Sequence, residues 1–183
     1  MRSIYITGYK PYELNIFNNK QPEVRYIKLF LQQKLKEYIE DGLEWVIIEG
    51  QLGVELWAAE VVIRLKKVYD VKLSIITPFL EHHSKWNEEN QLYYNQICAR
   101  ADFITSAHND IYRGGFQFRN TDQFVLDNTE GTILFYDDEH EASPKFFKQT
   151  LIDFASENQY NIDIVTLEDL SDFVNEYMRA KEY

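Results

Sequence analysis

The residues best suited to chemistry stand just after short β-rich runs, and most come with a glycine. Thr7-Gly8-Tyr9-Lys10 follows the first such run and offers a hydroxyl, a close backbone approach and a cation. Glu49-Gly50-Gln51-Leu52-Gly53-Val54-Glu55 follows the second and opens straight into a helical pattern. A glycine turn at a helix N-terminus leaves backbone N–H groups free, and the helix dipole adds partial positive charge, so an anion can be held there without a basic side chain. Glu55, in the first turn, is placed to meet a ribose hydroxyl or simply to complement the dipole. The turn matches neither G-x-G-x-x-G nor a Walker A loop, which argues against ordinary dinucleotide dehydrogenases and P-loop NTPases.

The longest polar loop runs from His108 to Gly115. It carries Arg113 and the only Gly-Gly pair, Gly114-Gly115, and leads into a helix bearing Arg119 and Asn120. Guanidinium forks are natural phosphate partners, so Arg113 and Arg119 are candidate counter-charges. Trp86 is a candidate for stacking on a base or for the core. The adjacent His82-His83 pair lacks the further His or Cys residues of a metal set, so no metal is expected. No nucleophile–base pair stands out, and the catalytic residues, if any, are not identified.

These positions need a scaffold that gathers strand ends. Strands are expected at Ser3–Ile6, Glu44–Ile48, Lys72–Thr77, Asp102–Ser106, Gly131–Tyr136 and Asn161–Val165. Helices are expected at Glu23–Asp41, Val54–Tyr69, from a Ser84 cap to about Ala101, Gln117–Asn128, Pro144–Gln159 and Leu167–Tyr183. Alternation from end to end predicts an α/β fold of Rossmann-like, doubly wound type, with a mainly parallel sheet and helices on both faces. In such a sheet, ligands bind beyond the carboxyl ends of the strands.

The chain has 183 residues, which suits a single domain over 1–183, and no linker, repeat or low-complexity segment interrupts it. The 13 Tyr and 12 Phe argue against disorder and suit either the core or a homo-oligomer interface. One cysteine, Cys98, excludes an intramolecular disulfide and fits a reducing compartment. No apolar run reaches membrane-spanning length, and the N-terminal run is too short for a signal peptide, so a cytoplasmic location is expected. The net charge of −11 opposes non-specific nucleic-acid binding. Asp137–Tyr183 holds 12 acids against four bases, and the acids around Leu167–Glu176 suit a solvated helix face or a basic partner.

The same segments resemble a known group. Gly53-Val54-Glu55-Leu56-Trp57-Ala58 is similar to the G-I-D-x-x-A segment of the DNA-processing protein DprA, and Phe116-Gln117-Phe118-Arg119-Asn120 to its F-P-x-R-N segment. Both belong to the SLOG superfamily, which also holds the LOG phosphoribohydrolases. The chain as a whole looks most like the YpsA family, through its opening I-T-G-Y-K-P-Y-E-L-N-I-F and the later Q-F-R-N. That resemblance implies a Rossmann-like domain with a nucleotide-type ligand, such as a derivative of NAD or ADP-ribose. It also implies a link to bacterial cell division and envelope processes, with a protein of the division machinery as partner. Two departures stand out: the glycine turn is one residue shorter than DprA's, and the LOG motif P-G-G-x-G-T-x-x-E is absent, since Phe116-Gln117-Phe118 follows Gly114-Gly115. The leading expectation is a nucleotide-sensing regulator. A nucleotide N-glycosidic hydrolase using Glu55, or an interaction module with a vestigial pocket, are the alternatives.

Overall fold

The computed structural model describes residues 1–182. Six strands form one sheet: β1 Ser3–Gly8, β2 Trp45–Ile48, β3 Lys72–Thr77, β4 Phe103–Ser106, β5 Gly131–Phe135 and β6 Asn161–Val165. All pairings are parallel, in the order β4-β3-β2-β1-β5-β6. Helices α1 Pro22–Glu40, α2 Val54–Leu65, α3 Glu88–Cys98, α4 Phe116–Asp127, α5 Pro144–Glu157 and α6 Leu167–Glu182 alternate with them. This is the expected Rossmann-like α/β fold.

Parallel strands buried on both sides need two apolar faces. On one, Ile4, Ile6, Val46, Ile48, Leu73, Ile75 and Phe135 pack against α1, α2 and α3, with Leu170 of α6 at the margin. On the other, Tyr5, Ile47, Ile76 and Leu134 meet Val125 and Leu126 of α4 and Leu151 of α5. The predicted stripe Val24, Ile27, Leu31 and Leu35 is buried, as are Leu56, Ala59, Val62 and Leu65. The edge strand β4 is less well covered: Phe103 and Ile104 stay exposed. No helix among the described residues is long and apolar enough to cross a membrane.

Three helix ends differ from the sequence expectation by about three residues or more, the third helix also ending at Cys98 rather than about Ala101. The third helix starts at Glu88 rather than at a Ser84 cap. Glu81 adopts a left-handed φ of 57°, and the turns closed by Ser84 N–H to Glu81 O and Trp86 N–H to His83 O occupy the intervening residues. Asn87 then caps the helix by accepting from the Asn90 N–H at 2.8 Å. Helix α2 stops at Leu65 rather than Tyr69, because hydrogen-bonded turns from Lys66 to Tyr69 close its last carbonyls. Tyr183 lies outside the described residues.

Strand order reverses between β1 and β5, so the crevice above their carboxyl ends is the topological switch point of the sheet. Two contacts hold it open in a fixed shape. The Tyr9 hydroxyl accepts from the Asp137 N–H at 2.8 Å and donates to the His140 carbonyl at 2.8 Å. Glu13 accepts from the Lys10 N–H at 2.7 Å and from the Ser143 N–H at 2.8 Å. The exits of β1 and β5 are thereby tied together.

Gly53 fixes how α2 approaches β1. Its φ is +97°, and a Cβ there would collide with the Tyr9 carbonyl oxygen and the Lys10 Cα. That approach lets the Val54 N–H donate to Tyr9 O at 3.1 Å. Gly53→Ala is expected to lower stability by about 2 kcal/mol or more, a fall in Tm of roughly 4–8 °C, through strain and collision together. Gly115, at φ −61° with nothing closer than 3.5 Å to an added Cβ, is the control. Gly115→Ala should leave Tm within a degree or so of the parent or raise it slightly. Thermal unfolding by circular dichroism checks both, and equal Tm values would refute the close-packing role of Gly53.

Candidate functional site

A cavity of about 390 Å³ opens at the switch point. Thr7, Gly8 and Lys10 from the β1 exit, Glu49 and Gln51 from the β2 exit, and Glu55 from α2 line one side. Phe118 and Asp122 from α4, and Ser143, Pro144, Phe146 and Phe147 at the start of α5, line the other. The size falls within the usual range for small-molecule sites.

Glu55 organises the near wall. The chain leaves β2 as a buried strand, turns through Gly50 (φ +84°) and Gly53, and lays the first turn of α2 beneath the ends of β1 and β2. The Glu55 carboxylate is 4% exposed and accepts four hydrogen bonds. The Glu49 and Gln51 N–H groups donate to Oε1 at 2.8 and 3.3 Å. The Thr7 and Tyr5 hydroxyls donate to Oε2 at 2.8 and 3.3 Å. Two N–H groups at the glycine turn, those of Glu49 and Gln51, are thus given to a carboxylate of the chain itself. The Val54 N–H is given to Tyr9.

Glu49 is in a different state. It is equally buried, yet its Oε1 has no hydrogen-bond partner. Burial pushes its carboxyl well above the usual range, and the neighbouring carboxylates Asp122 and Glu55 push it further. Burial also raises Glu55, to about 7, against the pull of its donors Thr7, Glu49 N–H and Gln51 N–H. Asp122 is raised by burial, and Glu49 beside it opposes the rise. Tyr5 stays protonated for the same reasons: burial first, then the charges of Glu49 and Glu55. The wall therefore sets two raised carboxyls side by side, one of them at about 7, and adjacent carboxyls raised by their surroundings are groups that general acid–base chemistry uses.

The structure sorts the predicted residues. Thr7, Gly8, Lys10 and Glu55 line the cavity together. Gly8 allows β1 to run tight against β5, where an added Cβ would lie 2.6 Å from Phe135 Cβ. Gly50 and Gly53 shape the turn but face elsewhere: Gly50 packs against His82, Tyr94 and Ile75, and its carbonyl bonds His82 Nε2 at 2.9 Å. Trp86 packs edge-on against His82 and Tyr94 and does not line the cavity. Arg113 pairs with Asp110 at 2.9 and 3.2 Å, at the surface. Gly114 helps form the turn whose N–H groups, with that of Arg113, are capped by the buried Gln117 side chain. Gly115 precedes α4, and Arg119 is exposed on its first turn. The Asn120 amide meets His108 Nε2 at 3.2 Å, while His108 Nδ1 donates to the Pro78 carbonyl at 2.7 Å. Among the described residues no group of three or more His, Cys, Asp or Glu is placed to hold a metal ion.

Sequence reasoning missed Glu49, Asp122 and the aromatic wall. Glu49 carried a signal: it is an acid placed directly after the buried run Trp45–Ile48, at a strand's carboxyl end. Asp122 sits four residues after Phe118, on the same ridge of α4, a relation visible only once the cavity-facing side of that helix is known.

Fold and site together define a Rossmann-like α/β protein with an acid-lined crevice at its switch point. The sequence profile of the YpsA family, described as "YspA SLOG family", matches residues 4–170. The chain is 98% identical to a UPF0398 protein of Macrococcus caseolyticus, over all of both chains. It is 57% identical to one from Staphylococcus haemolyticus, covering 96% of this chain and 95% of that relative, and 50% identical to one from Staphylococcus aureus, covering 100% and 98%. The chain belongs to the YpsA family of SLOG proteins.

The raised Glu55 carboxyl has a consequence for stability. Between its ordinary value of 4.5 and about 7, the folded chain keeps a proton that the unfolded chain has released. Its contribution is therefore complete below about pH 4.5 and is lost as pH rises through 7. In Glu55→Gln this loss is removed, and stability should decline less between pH 4.5 and 7 than in the parent. Urea unfolding midpoints at several pH values in that window check it, and parallel curves for the two proteins would contradict the assignment.

Proposed function

We propose that the cavity binds a nucleotide-type ligand of the NAD or ADP-ribose kind, with its ribose over Glu49 and Glu55. The observation that carries this reading is the buried, unpartnered Glu49 Oε1 beside Glu55 in a cavity at the switch point. A ribose hydroxyl is a donor of the right size and polarity to satisfy that oxygen. Phe118, Phe146 and Phe147 offer flat apolar surface for a base. Lys10, in the cavity wall, and Arg119, exposed on the first turn of α4, are the cations left for phosphates at the mouth. Occupancy would brace α4 and α5 against the ends of β1 and β2, and so report ligand to a protein partner. The resemblance to proteins tied to cell division makes a division-machinery protein the partner to try first.

A second reading is favoured by one observation: Glu55, near 7, stands beside Glu49, a second carboxyl raised by burial and by the charges of Asp122 and Glu55. That pair could stabilise a ribosyl cation and activate a water, which is N-glycosidic hydrolysis. Isothermal titration of the purified chain with nucleoside monophosphates, NAD and ADP-ribose, followed by chromatography for released base, separates the readings. Regulatory binding predicts saturable affinity without product, weakened about tenfold or more in Glu49→Gln. Hydrolysis predicts free base, abolished in Glu55→Gln. Neither binding nor turnover across the panel would sink both.

A further inference from the structure

The cavity is short of positive charge. Glu49, Glu55 and Asp122 all line it, against the single ammonium of Lys10. Desolvated carboxyl groups are costly unless a donor or a cation meets them. Glu55 is met internally by four donors; Glu49 Oε1 is met by none. Opposite these acids stand phenyl rings. Phe146 is 71% exposed and Phe118 39%, at the mouth of the same cavity. The face of an aromatic ring carries partial negative charge and attracts cations. Carboxylate and ring faces therefore favour the same guest: one that is flat, apolar at its edges and positively charged. Devices that could hold an anion are in part committed within the chain, since the Glu49 and Gln51 N–H groups serve Glu55 and the Arg113 fork serves Asp110.

We propose that the group seated between Glu49, Asp122 and the phenyl rings is a positively charged heteroaromatic ring carried on a ribosyl unit, of which a pyridinium N-riboside is the simplest member. The inference rests on the nucleotide-type reading above and narrows it: the site distinguishes a ring by its charge. The reduced dihydropyridine form has nearly the same shape and the same sugar but no charge, so it binds more weakly. A cation placed there also favours ionised carboxyl groups. The groups facing it are Tyr5, Glu49, Glu55, Asp122 and Lys10, and burial raises the proton affinity of both glutamates and of Asp122. Binding of the cation therefore releases protons to the buffer, whereas binding of the neutral form does not.

The test is isothermal titration of the intact chain with nicotinamide riboside and with its 1,4-dihydro form, each in two buffers of different ionisation enthalpy. The expected result is at least about tenfold tighter binding of the cation, with proton release seen as a buffer-dependent heat for the cation alone. In Asp122→Asn the preference should shrink while the affinity for the dihydro form is retained; in Glu49→Gln, which also loses the ribose contact, both affinities fall and the preference shrinks with them. Two variants on different elements guard against one failing to fold, and circular dichroism verifies each. Equal affinity of the parent for both forms would overturn the proposal and leave the nucleotide reading standing. Binding of ADP-ribose or a nucleoside monophosphate with no binding of either riboside would do the same. Binding of none of these compounds would overturn both.

Discussion

The Glu55 carboxylate holds the site together. Its two oxygens accept from the backbone of the β2–α2 turn and from hydroxyls on β1, so one side chain joins two strands and a helix beneath the sheet's carboxyl edge. A charge in this position would be costly in an apolar interior; four donors bring it within reach of solution pH. The approach of α2 to β1 that makes this possible depends on Gly53, where a side chain has no room. The glycine turn is thus a device for delivering a carboxylate, and the anion that fills it belongs to the protein.

Once Glu55 is satisfied, the character of the cavity is set by what remains. Glu49 is buried by the same strand end with its Oε1 unpartnered, and Asp122 reaches the same space from the opposite layer. Like charges this close cannot all ionise, so protons are retained and shared among them. The aromatic side of the cavity completes a surface that rewards hydrogen-bond donors and positive charge. The hydrogen bonds of Tyr9 and Glu13 tie the β1 exit to the segment between β5 and α5, along one side of the cavity.

Much of this was legible in the chain before any coordinates. The β-rich runs and helical stripes alternate clearly because the strands are buried on both faces and the helices on one, and the observed strands agree with the expected ones to within a residue or two at each end. Thr7, Gly8, Lys10 and Glu55 could be picked out because parallel sheets place function at strand ends. Glu49 and Asp122 were harder. Their significance lies in the buried, unpartnered Oε1 of Glu49 and in Asp122 facing it across the cavity, and both depend on packing that no local pattern encodes. Arg113 looked like a phosphate ligand because its neighbour Asp110, three residues away, could not be assigned to it until the loop was folded. Trp86 was undecidable by spacing, and its packing depends on the left-handed turn at Glu81, which sequence gives no reason to expect.

The account turns on Glu55 being a buried, internally solvated carboxylate with its proton affinity raised by the fold. Carbon-13 NMR of the side-chain carboxyl groups, followed through a pH titration of the native protein, reads this directly. The structure predicts that the Glu55 signal titrates near pH 7, well above the ordinary glutamate value of 4.5. A Glu55 signal that titrates near 4.5 would mean that the carboxylate is solvated from outside, and the turn would then be free to hold a ligand's anion after all.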